Sequence, residues 1–152
     1  MVDILVVTGA RAAAASAPAE AWARGAIAEA FDTHHPAKLV TGDARGPDDY
    51  ARREAVKRRV PFYCYAGSGK ITGADAREWA AWFLHRDRVM VQHVVRRVRE
   101  GATALVLAIY APWSVTEGTA FTVGRAKAHD LDVLELTIPK GFAPHRPEAR
   151  HG

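Results

Sequence analysis

The chain has 152 residues, of which 49% are hydrophobic and 25% charged, and its formal net charge is +4. This length and composition are typical of one soluble globular domain and too small for two. No apolar run approaches the roughly 20 residues of a membrane-spanning helix, and the first residues lack the basic stretch of a signal peptide. The single cysteine, Cys64, has no internal disulfide partner. We therefore expect a cytoplasmic protein with no membrane partner.

Strand and helix patterns alternate along the chain. Residues 4–8 form a continuous apolar run, which is typical of a strand buried on both faces of a parallel sheet. The same signals predict further strands and four helices. The strands are expected at 38–41, 61–65, 103–109 and 132–138, and the helices at 19–31, 46 to about 59, 75–99 and 118–129.

This alternation predicts an α/β fold, a Rossmann-like three-layer sandwich with a parallel sheet of about five strands. The domain is expected to cover residues 1–138. Residues 139–152 contain three prolines and are predicted to form a loose tail. The long helix 75–99 has an apolar stripe, which also suggests a homodimer. Its members are Trp79, Phe83, Met90, Val94 and Val98.

Several familiar site motifs are incomplete. The run GSGKIT (67–72) lacks the first glycine of a P-loop, and Ile71 stands where Ser or Thr should follow Lys70. The turn TGARAAAA (8–15) has one glycine where the dinucleotide fingerprint has three. The seven histidines form no metal-ligand pattern. The sequence thus predicts neither a metal nor a cofactor.

Glycine-containing turns follow most of the predicted strands, at the sheet edge where such folds bind ligands. In one of them, Gly118 and Thr119 stand where a helix begins. A helix start offers unpaired N–H groups and a positive dipole end. The Gly-Thr pair is therefore either a simple helix cap or a phosphate-binding site.

Four motifs occur in the order known from one protein family. They read Gly9-Ala10-Arg11, GDARGPD (42–48), RDRVM (86–90) and Gly118-Thr119-Ala120. In these motifs the chain resembles the SLOG superfamily of Rossmann-like nucleotide-binding domains over about residues 3–137, and in particular the small proteins of the DUF2493/YspA type. The resemblance implies a binding site for a nucleotide-derived small molecule. Its residues would be Gly9, Arg11, Gly42, Gly46, Asp48, Arg86, Gly118 and Thr119.

Two acids depart from the family pattern, because Asp43 stands where the family has a glycine and Asp87 where it has an asparagine. The superfamily also includes the Lonely Guy phosphoribohydrolases, to which the chain is distantly similar. Arg86 matches their catalytic arginine, but Phe121 and Thr122 stand where their acid is expected.

The candidates for catalysis are therefore Arg86 and, by position, Glu117; Asp48 and Asp87 could also supply the carboxylate. Three functions stay open: a binding or sensor module for a nucleotide, a hydrolase of N-glycosidic bonds, and a single-stranded nucleic-acid binder similar to the DNA-processing protein A family. The basic runs 51–60 and 94–100 fit the last function, but no aromatic residues are interleaved with them. Nucleic acid is thus a weaker expectation than a small molecule.

Overall fold

The computed structural model describes residues 1–65, 76–115 and 117–144, with side chains except at 76–81, 83 and 117. The predicted loop at 66–74 and the end of the predicted tail lie outside these residues. Within them the chain forms five strands and four α-helices. The strands are β1 (Ile4–Gly9), β2 (Lys38–Gly42), β3 (Phe62–Tyr65), β4 (Ala104–Tyr110) and β5 (Asp132–Thr137), and the helices are α1 (Ala17–His34), α2 (Pro47–Arg58), α3 (Ala76–Arg99) and α4 (Glu117–Ala128).

All five strands run parallel in the order β3-β2-β1-β4-β5. The chain builds outward from β1 through β2 to β3, then crosses over to β4 and β5 on the other side. The order therefore reverses between β1 and β4, and the carboxyl ends of these two strands open a crevice. The predicted α/β Rossmann-like fold is confirmed.

The central strand β1 is buried on both faces, as its unbroken apolar run predicts. Leu5 and Val7 belong to a core that contains Ile27 and Phe31 of α1. Ile4 and Val6 belong to the opposite core, under α3 and α4. Side chains in a strand point alternately to its two sides, so β1 contributes to both cores. The helices α1 and α2 cover one face, and α3 and α4 cover the other.

The apolar stripe of α3 is confirmed for the members whose side chains are described. Met90 and Val94 are each 1% exposed and Val98 packs against the same core. Trp79 and Phe83 lie outside the described side chains. Because the described members face the sheet, this part of the stripe supports the fold and is not available to a partner subunit.

Two short 3₁₀ helices, Arg11–Ala15 and Lys140–Phe142, were not predicted. Ser16 connects them: its Oγ accepts from the Ala19 N–H at 3.2 Å, capping α1, and donates to the Phe142 carbonyl at 2.6 Å. The Phe142 ring packs against the core on the α1 face.

No helix among the described residues is long and apolar enough to cross a membrane.

Candidate functional site

A cavity of about 360 Å³ opens at the carboxyl edge of the sheet, in the crevice between β1 and β4. Its walls are the turn after β1, the loop that leads into α4, and side chains from α2 and α3. The structure brings together six of the eight predicted ligand residues around it. They are Gly9, Arg11, Asp48, Arg86, Gly118 and Thr119.

The other predicted glycines, Gly42 and Gly46, shape the site from behind its walls. A Cβ on Gly42 would lie 2.8 Å from Asp48 Oδ2 and 2.9 Å from the Arg86 guanidinium. Gly46 has a φ of +83°, in the region that favours glycine, and precedes α2. Gly9 lines the cavity and also allows Pro47 to pack closely against the backbone, since a Cβ at this position would lie 2.5 Å from Pro47 Cγ.

Arg86 reaches the cavity from α3 and is held by two carboxylates. Its Nη1 donates to Asp43 Oδ1 at 2.7 Å, and its Nη2 and Nε donate to Asp87 Oδ1 at 2.8 and 3.1 Å. The Arg86 side chain is 11% exposed and that of Asp87 is 5% exposed. Asp43 and Asp87 therefore form one feature, since both neutralise the same guanidinium.

Asp87 is connected to α4 through Thr122. The Thr122 hydroxyl hydrogen-bonds to Asp87 and lies 3.0 Å from the Gly118 carbonyl oxygen. Burial raises the pKa of Asp87, while Arg86 and Thr122 act in the opposite direction.

Asp48 is the most perturbed acid at the site. It lies in the first turn of α2, is 4% exposed, and accepts from the Ala44 N–H at 3.3 Å. Burial raises its pKa to about 7, against the opposing effects of Arg86, the Ala44 N–H and Arg52. A carboxyl group that titrates near neutral pH can donate or accept a proton, which makes it a candidate for acid–base chemistry.

Helix starts form another part of the wall, beside Asp87, whose Oδ2 lies 3.5 Å from the position of a Cβ on Gly118. Thr119, 4% exposed, lies in the first turn of α4, and the first 3₁₀ helix begins at Arg11. Ala10 precedes that 3₁₀ helix and provides no side-chain cap, in contrast to Ser16 at the start of α1. The N–H groups at these starts make this wall electropositive. The Glu117 side chain lies outside the described residues, so its predicted role stays a prediction.

Sequence reasoning missed the bonds that Asp43 and Asp87 make to Arg86. The available signal was that Asp87 adjoins Arg86 in the sequence, whereas Asp43 lies 43 positions away. Among the described residues, no cluster of three His, Cys, Asp or Glu side chains is arranged to hold a metal ion. Cys64 is half-buried, and its Sγ lies 3.4 Å from the Gly42 carbonyl oxygen.

No family model matches the sequence, and no curated protein matches it either. Among solved structures, the fold is similar to that of DNA processing protein A from Streptococcus pneumoniae, with 14% sequence identity and a TM-score of 0.42. The match covers 92% of this chain and 60% of that one, so this chain spans less than two thirds of that protein's length.

Proposed function

We propose that the protein binds a nucleotide-derived ligand in the cavity between β1 and β4. The observation that carries this proposal is that the wall of one cavity of about 360 Å³ combines two chemically different parts. One part of the wall presents helix starts and Arg11, and an adjoining part presents Asp48, Asp87 and Arg86. Pockets for small ligands have volumes of about 300–1,000 Å³. A nucleotide carries an anionic end and a hydroxyl-rich sugar that suit these two parts.

The phosphate would bind at the wall formed by the helix starts. Backbone N–H groups near Gly118 and Thr119 and the positive end of α4 attract an anion. Arg11, which lines the same cavity, would add a guanidinium. Arg86 is less suited to phosphate because Asp43 and Asp87 already neutralise its charge.

The sugar would bind at the carboxylate wall. Ionised carboxylates are acceptors for ribose hydroxyls, and charge-assisted hydrogen bonds of this kind are strong. Asp87 uses Oδ1 for Arg86, while its Oδ2 lies 3.5 Å from the position of a Cβ on Gly118. Arg86 would then act by fixing the orientation of the carboxylates, while Asp48 and Asp87 would contact the ligand.

The buried carboxyl group of Asp48, which lines the cavity together with Asp87, favours a second candidate function, hydrolysis of an N-glycosidic bond. Burial raises the pKa of Asp48 to about 7, so near neutral pH it can protonate a departing base or activate a water molecule. Cleavage of such bonds develops positive charge on the sugar, which the neighbouring Asp87 carboxylate would stabilise. The products would be a free base and a ribose phosphate.

A thermal-shift screen with AMP, cyclic nucleotides, NAD and ADP-ribose tests the proposal. Ligand binding stabilises the folded state by RT ln(1 + [L]/Kd), about 2.7 kcal/mol at 100 Kd. We expect a shift in the wild type that is lost when Arg11→Gln and Thr119→Val are combined. The matched control is Arg53→Gln, which removes an exposed arginine of α2 outside the cavity.

An unchanged shift in the double variant, or no shift with any nucleotide, would contradict the proposed site. Chromatography of the same samples separates the two candidate functions. Free base released by the wild type, and lost in Asp48→Asn, would establish hydrolysis. A ligand recovered intact would support a binding or sensor module.

A further inference from the structure

A second surface, separate from the cavity, places aromatic rings beside positive charges. It lies along β3, the edge strand of the sheet, where Tyr63 is 49% exposed. Lys38 of β2 and three residues of α3 lie next to it. We call this surface the edge patch; it consists of Lys38, Tyr63, Tyr65, His93, Arg96 and Arg97.

The rings of the edge patch are in mutual contact. The ring centroids of Tyr63 and Tyr65 are 4.7 Å apart, and that of His93 lies 6.0 and 5.8 Å from them. The Tyr65 hydroxyl hydrogen-bonds to His93 Nδ1, and Lys38 Nζ lies 5.7 Å from the Tyr63 ring centroid. Tyr65 and His93 thus hold the row in place, while Tyr63 presents much of its ring to solvent.

The charge of the edge patch is mainly positive. Arg96 and Arg97 are exposed on α3, and a groove of about 620 Å³ is lined by Lys38, His93 and Arg97. Glu100 offsets part of this charge through its 2.8 Å ion pair with Arg97. Asp3, the acid in the groove, is engaged by the Thr103 N–H at 2.8 Å.

We propose that the edge patch binds single-stranded nucleic acid, with a base stacked on Tyr63 and phosphates at Lys38, Arg96 and Arg97. Surfaces that bind single strands combine a positive groove with exposed aromatic rings. A duplex keeps its base faces stacked and cannot use Tyr63 in this way. A second copy of the chain is a poorer occupant, because two positive patches would face each other.

The sequence alone argued against this surface, because no aromatic residues are interleaved with the basic run 94–100. The fold supplies them from β3, about 30 residues earlier in the chain. None of the edge-patch residues lines the cavity. This proposal therefore stands or falls separately from the proposed nucleotide site.

Fluorescence anisotropy with a labelled 12-nucleotide oligo-dT tests it, using the wild type, Tyr63→Ala, Tyr63→Phe, Lys38→Gln and the control Arg53→Gln. We expect Tyr63→Ala to weaken binding about fivefold or more, whereas Tyr63→Phe, which keeps the ring, binds like the wild type. With three phosphate contacts, the plot of log K against log salt should have a slope of about −2, and a smaller one in Lys38→Gln.

Two competition measurements distinguish the edge patch from a general basic surface and from the nucleotide site. A duplex of the same length should bind more weakly, and saturating AMP should not displace the oligonucleotide. Thermal unfolding of each variant checks that it is folded. The proposal is overturned by absence of oligonucleotide binding at low salt, by equal affinity in Tyr63→Ala and the wild type, by equal binding of the duplex, or by displacement with AMP.

Discussion

Replacing Gly42 by alanine tests whether the arginine–carboxylate arrangement depends on a missing side chain. The new Cβ would lie 2.8 Å from Asp48 Oδ2 and 2.9 Å from Arg86 Cζ and Nη2. Neither group can move away cheaply, because Asp48 is 4% exposed and Arg86 is held by three hydrogen bonds. Overpacking of a well-packed interior costs about 1–3 kcal/mol. We therefore expect Gly42→Ala to destabilise the protein by this amount.

Two other glycines provide controls. A Cβ on Gly118 would meet only Asp87 Oδ2 at 3.5 Å, an ordinary contact, and one on Gly25 in α1 would meet nothing within 4 Å. Alanine in the middle of a helix is about 1 kcal/mol more favourable than glycine, so Gly25→Ala should stabilise and Gly118→Ala should be neutral or better. Urea denaturation measures all three, and Gly42→Ala should lower the midpoint by about 1 M. A Gly42→Ala midpoint equal to that of Gly118→Ala would refute the packing seen at Gly42.

Three further predictions concern the buried polar groups. The folded-state pKa of Asp48 is about 7, above its ordinary value of 3.8, so the folded protein binds the extra proton and loses stability as the pH rises. Between pH 5 and pH 8 the unfolding free energy of the wild type should fall by about 2–3 kcal/mol more than that of Asp48→Asn. Urea titrations in which both proteins lose the same free energy between these pH values would contradict this. Arg86→Ala leaves Asp87 buried without its partner and should destabilise the protein by about 3–5 kcal/mol at pH 8. The loss should be smaller at pH 5, where Asp87 can be protonated. Equal losses at both pH values would argue against the ion pair. Ser16→Ala removes the cap of α1 and the hydrogen bond to the Phe142 carbonyl, and should lower the free energy of unfolding, measured by thermal denaturation, by about 1–2 kcal/mol. An unchanged transition would show that neither hydrogen bond contributes.

The fold could be predicted from the sequence because its signals are local. The unbroken apolar run of β1 indicates a strand buried on both faces, and Gly46 with the following proline and acids indicates the start of α2. Parallel topology then brings the strand ends to one edge of the sheet. The turns at Gly9 and Gly118 therefore meet, although they are far apart in the chain.

The chemistry of the site could not be predicted in the same way. Asp43 and Arg86 are 43 positions apart, and no local pattern shows that they form an ion pair. The resemblance placed Arg86 among the ligand-binding residues, but only the packing of α3 shows that two carboxylates neutralise it. The edge patch escaped prediction for the same reason, because Tyr63 and Arg96 come from different elements that meet only in the folded chain.

The most direct test of the central claim is a crystal structure of the protein with bound AMP, or with the nucleotide that gives the largest thermal shift. We predict the phosphate within hydrogen-bond distance of the backbone N–H groups of Gly118 and Thr119, and the sugar hydroxyls at Asp48 or Asp87, with the bonds from Arg86 to Asp43 and Asp87 intact. A ligand bound outside this cavity, or a phosphate that displaces the carboxylates from Arg86, would contradict the account.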